Sequence, residues 1–192
     1  MSDDPRPLMT RALDQIGALV DGTRSADLDR PTPCDDWDVR TLLGHLVGVP
    51  RRVAHVGTGG SPFDVPSMAE LPDGEHAAAL KSARADVDRV WGDDAVLDRM
   101  LTVPWGTMPG RAVGFGYVQE FTVHAWDLAV ATGRTHELDP VLAETCEPFS
   151  RQMVPAETRG GPVPFGPVVE VDAAADPYAR LVGWLGRDPH VA

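Results

Sequence analysis

Asparagine is absent from this 192-residue chain, isoleucine occurs once, at Ile16, and lysine once, at Lys81. Sixteen arginines supply the remaining positive charge, a bias of GC-rich coding, so an arginine here is weak evidence for an anion site. The two cysteines, Cys34 and Cys146, are too few for a disulfide framework. No apolar run approaches the roughly 20 residues a membrane helix needs. The opening Met-Ser-Asp-Asp-Pro lacks the charged and apolar regions of a signal peptide. Positive charge is scarce overall. A net charge of −12 and a pI near 4.7 argue against nucleic acid and against anionic membranes. What these absences leave is a cytoplasmic protein of one domain, or one domain with a tail, with 43% apolar residues to build a core.

Strand signals are also nearly missing, and most of the chain reads as helix. Leu8, Ala12, Leu13, Ile16, Leu19 and Val20 recur at helical spacing, and Asp21-Gly22 ends that segment. Pro31-Thr32-Pro33-Cys34 stiffens the connection that follows. Asp38 is an N-cap for a second helix with Val39, Leu42, Leu43, Leu46, Val47 and Val53 inside; Pro50 is expected to kink it. A Gly-, Ser- and Pro-rich loop covers 57–72. The third helix spans 74–91, with Ala78, Ala79, Val87 and Val90 inside. Residues 97–105 suit a short extended piece. A fourth helix runs from about Pro109 to Thr132 and closes on Gly133. Asp139-Pro140 opens a fifth helix to about Met153, 154–167 is a Pro/Gly-rich loop, and Asp176-Pro177 opens a short terminal helix. The fold class is all-α: an antiparallel four-helix bundle with extra C-terminal helices and a Pro/Gly-rich loop.

The fourth helix carries the chemistry. Glu120 and His124 are four residues apart and share one face among apolar neighbours, where an unpaired charge is costly. His45 lies among Leu42, Leu46 and Val49 on the second helix. If the three converge, two imidazoles and one carboxylate hold a metal with an open position, the arrangement of catalytic rather than structural zinc. Plainer roles stay open: a surface Glu–His hydrogen bond, or core histidines satisfied by neighbours. Asp127, one turn on, either orients the His124 ring or pairs with an arginine. Gly116 either leaves room above a metal or lets helices approach. Cys34 is a thiolate or a packed small residue. Arg51, Arg52 and Arg84 are candidates for an anionic ligand; His76, His136 and His190 are read as solvated.

Two stretches carry a resemblance. Pro31-Thr32-Pro33-Cys34-Asp35-Asp36-Trp37-Asp38-Val39-Arg40-Thr41-Leu42-Leu43-Gly44-His45-Leu46-Val47 resembles the second-helix signature of the DinB-like superfamily. More narrowly, it is similar to the branch containing the N-terminal metal-binding domain of mycothiol-dependent maleylpyruvate isomerases. Val123-His124-Ala125-Trp126-Asp127-Leu128-Ala129-Val130-Ala131-Thr132-Gly133 resembles the same branch's fourth-helix signature, and the ending from Phe165 to Pro189 fits too. The resemblance implies a single DinB-like bundle over 1–192, with its core at about 8–133 and a C-terminal extension at about 134–192. It implies a divalent metal, zinc foremost, on His45, Glu120 and His124. It further implies mycothiol as thiol cosubstrate, and hence a metal-dependent transferase or isomerase. A hydrolase, lyase or cyclase without thiol, a noncatalytic binding module, and a homodimer through the bundle faces stay open. About sixty residues follow the fourth helix, where the isomerase carries a further domain, which sets maleylpyruvate isomerisation itself apart from these expectations.

Overall fold

The structure is a computed structural model that describes residues 4–34, 36–159 and 165–191. Four long helices form the bundle: α1 (Arg6–Asp21), α2 (Val39–Gly57), α3 (His76–Trp91) and, after a short α4 (Ala95–Asp98) and a hairpin, α5 (Gly110–Thr132). The hairpin pairs β1 (Met100–Val103) with β2 (Gly106–Pro109) antiparallel, Met100 opposite Pro109. Then come α6 (Pro140–Met153) and α7 (Pro177–Trp184). Helix α1 packs on α3 and α5, and α2 packs on the same two, so α2 and α5 are neighbours around the bundle. Helices α6 and α7 pack on each other and on α5. No helix among the described residues is long and apolar enough to cross a membrane.

The helices follow from local chemistry. The Asp38 carboxylate accepts the Thr41 backbone N–H at 2.8 Å, starting α2. Asp139 and Asp176 cap α6 and α7 with a proline in the first turn. Gly133 closes α5 at φ 72°, a left-handed conformation that glycine adopts without strain. Helix α5 is apolar on nearly every face and buried on nearly every side, as such a helix must be. Its polar residues therefore sit inside the protein.

Two sequence expectations need correction. Ala78 is exposed and Ala79 and Val90 only half-buried, because the inner stripe of α3 is His76, Leu80, Ala83, Val87 and Trp91. A run of alanines marks no face, so the bulkier residues decide it. His76 lies on that stripe at 4% exposure; burial pushes its pKa down, and it is not solvated. The short extended piece expected at 97–105 is present as β1, which follows the single turn of α4 and pairs with a partner only four residues long. Pro50 is buried and α2 continues through it as one helix to Gly57.

The long loop after α2 folds back onto that helix. Ala69 donates its N–H to the Gly44 carbonyl at 2.9 Å. A Cβ on Gly44 would stand 2.8 Å from the Ala69 carbonyl oxygen, and one on Gly48 would stand 2.4 Å from that of Ser67. The two glycines let backbone meet backbone beside His45.

Candidate metal centre

His45 on α2 and Glu120 and His124 on α5 meet at the floor of a pocket of about 270 Å³. His45 Nε2 lies 3.1 Å from Glu120 Oε1, and His124 Nε2 lies 3.6 Å from the same oxygen. Both histidines are 7% exposed. One donor atom from each of the three residues fits within a 4.8 Å cluster. A tetrahedral ion with bonds of about 2.05 Å holds its ligand atoms about 3.3 Å apart. The two distances to Glu120 bracket that value, so the donor set fits a small divalent ion.

Behind His124 stands Asp127, fully buried. His124 Nδ1 donates to Asp127 Oδ2 at 2.9 Å, which turns the Nε2 lone pair toward Glu120. Asp127 also accepts from Arg187, Nε to Oδ1 at 2.7 Å and Nη2 to Oδ2 at 2.8 Å. Both roles left open for Asp127 are therefore filled at once. Burial by itself would push the His124 pKa down, but Glu120 and Asp127 outweigh it and hold it at about 9. Burial would likewise raise the Glu120 pKa; the two histidines win and hold it well below the usual carboxylate range. With no metal, His124 carries a proton on each ring nitrogen at neutral pH and bridges the two carboxylates.

The Pro-rich connection forms the rim. Thr32 closes it, its backbone N–H and its hydroxyl both donating to the Trp37 carbonyl at 3.0 and 2.9 Å. Asp36 takes φ 63°, which Asp tolerates better than most residues. The turn presents Trp37, whose ring lies 4.8 Å from the His45 ring and stacks on His124 at 5.8 Å. It also presents Cys34, whose Sγ shares a second 4.8 Å donor cluster with His124 and Asp127. Cys34 is thus a pocket residue as well as a packed one. Gln119, Val123, Phe165 and Leu185 complete the wall. Ser150 Oγ donates to Gln119 Oε1 at 2.7 Å.

Gly116 does not open space for a substrate: a Cβ there would stand 3.1 Å from the Trp105 ring, so it serves close packing. Arg52 donates twice to the Val65 carbonyl, Arg84 pairs with Asp14, and Arg51 is exposed; none of them lines the pocket. Residue reading passed over Trp37 and Arg187. The signal for Arg187 was Leu185-Gly186 before it, a helix ending on glycine.

The sequence model of the mycothiol maleylpyruvate isomerase N-terminal domain family matches residues 9–129, which contain all three donors. The chain belongs to this family. Two uncharacterized proteins, from two strains of Mycobacterium tuberculosis, are 32% identical over 184 residues, covering 96% of this chain and 98% of each relative. The crystal structure of the mycothiol-dependent maleylpyruvate isomerase superposes with a TM-score of 0.60 at 14% identity. It covers 74% of this chain and 66% of that one, so this family member spans just under two thirds of the isomerase. At that identity the likeness shows the fold, an all-α DinB-like bundle, the architecture expected from the sequence.

Proposed function

We propose that this protein is a divalent-metal-dependent enzyme, zinc being the ion its donors suit, which takes a thiol of the mycothiol type and transfers it or uses it in an isomerisation. The observation that carries this reading is the convergence of His45, Glu120 and His124, with spacings matching a small tetrahedral ion. Three protein ligands leave a position open to the pocket. When bound there, a divalent ion supplies a deprotonated, nucleophilic thiolate at neutral pH.

The chain's own residues do the rest. Glu120 stays ionised at neutral pH and offers Oε1. Asp127 keeps the His124 proton on Nδ1, so Nε2 remains a donor atom. Trp37, Val123, Phe165 and Leu185 line the approach with apolar surface and limit water there. At about 270 Å³ the pocket is just below the usual range of about 300–1,000 Å³, so it admits a small substrate and the reactive end of a larger thiol.

Elemental analysis of purified protein tests the metal: one zinc per chain is expected, and its loss in His124→Ala. No enrichment in either protein overturns the proposal. Calorimetric titration of zinc-loaded protein with mycothiol tests the thiol. Metal without thiol binding redirects the reading to metal-dependent hydrolysis or a lyase step.

A further inference from the structure

We infer that Arg187 reads a carboxylate on the molecule that occupies the pocket, a conclusion that rests on the pocket being the active site. The guanidinium is planar and offers two edges, each able to hold a carboxylate with two parallel N–H bonds. The edge formed by Nε and Nη2 is occupied by Asp127. The other edge carries Nη1, which has no acceptor among the described residues and is not enclosed by protein, in a side chain that lines the pocket. Asp127 shares its charge with the N–H of His124, and Glu120 is a further negative charge acting on Arg187. A donor edge without an acceptor is therefore left beside the candidate metal ligands.

The edge is held in place before any ligand arrives. Arg187 follows Gly186, which takes φ 87° at the end of α7. Gly186 donates its N–H to the Gly183 carbonyl at 3.1 Å, and Arg187 donates its own to Val182 at 2.9 Å, the paired bonds of a glycine-terminated helix. A Cβ at Gly186 would stand 2.6 Å from the Gly166 carbonyl oxygen, so the backbone there is fixed from both sides. With the side chain also clamped by Asp127, little rotamer entropy is left to lose on binding. Nothing in this arrangement requires the side chain to face a pocket if its role were to neutralise Asp127 alone.

The carboxylate has two sources, the substrate or the thiol. Quenching of Trp37 fluorescence separates them with two matched pairs, in metal-free and in zinc-loaded protein, against a Trp37→Phe control. Succinate and succinamide carry no thiol; N-acetylcysteine and its amide do. The inference expects the acid to bind at least about tenfold tighter than its amide in one pair, and expects Arg187→Gln to abolish that preference. Preference in the succinate pair assigns the edge to substrate, and preference confined to the thiol pair assigns it to the thiol. Equal binding of acid and amide by the wild-type protein in both pairs overturns the inference, whether or not Arg187→Gln folds. The metal-free arm keeps this outcome distinct from a failure of the metal proposal.

Discussion

Asp127→Asn is the sharpest perturbation of this site. Two oxygens now serve three donors: the His124 Nδ1–H and two N–H groups of Arg187. Asparagine keeps one oxygen and turns an NH₂ toward at least one donor. Residue 127 is fully buried, so water cannot repair the loss. Breaking one side of a buried ion pair costs about 3–5 kcal/mol. At about 2–4 °C per kcal/mol for a protein of this size, the metal-free melting temperature falls by roughly 6–20 °C. Removing the acceptor that orients a ligand imidazole weakens metal binding about 10–100-fold. The assays are thermal unfolding of metal-free protein and zinc competition against a chromophoric chelator. A lowered melting temperature with zinc affinity within a factor of two would refute the orienting role and leave Asp127 a purely structural anchor. An unchanged melting temperature would refute the buried pair itself.

Two further outcomes follow from the same geometry. On the proposed zinc reading, the ion must displace the proton that His124 holds with a pKa of about 9, so apparent affinity should fall about tenfold per pH unit from pH 8 to pH 6. Metal-free stability should run the opposite way. The His124 contribution is complete below its unfolded pKa of about 6.5 and is lost as pH rises through about 9, which urea titrations across pH 6–10 would register. Gly48→Ala drives a Cβ to within 2.4 Å of the Ser67 carbonyl, where backbone must move; a loss of about 1–3 kcal/mol is expected, and unchanged urea unfolding would show that the loop is not seated on α2.

Most of the bundle was legible because its signals are local. Asp38, Asp139-Pro140, Asp176-Pro177 and Gly133 mark helix ends through backbone chemistry that needs no tertiary partner. Glu120 and His124 were legible because helical spacing puts them on one face and an apolar helix makes them expensive. The inner face of α3 was not, since alanine at 77, 78 and 79 suits core and surface equally. The hairpin was half-hidden because four-residue strands carry little pattern and depend on a cross-strand partner. Arg187 escaped because it meets Asp127 from 60 residues away, and an arginine-rich composition lowers the information in each arginine.

That separation also has a consequence in time. During synthesis, at about 5–20 residues per second, the 60 residues between Asp127 and Arg187 take about 3–12 s to appear. For that interval the bundle helices bearing His45, Glu120 and His124 are already made, while Asp127 has no guanidinium. A nascent chain therefore passes through a stage in which all three candidate ligands have been synthesised and the anchor of Asp127 has not. On the proposed zinc reading, an ion captured at that stage would be held less firmly than one captured after the tail docks.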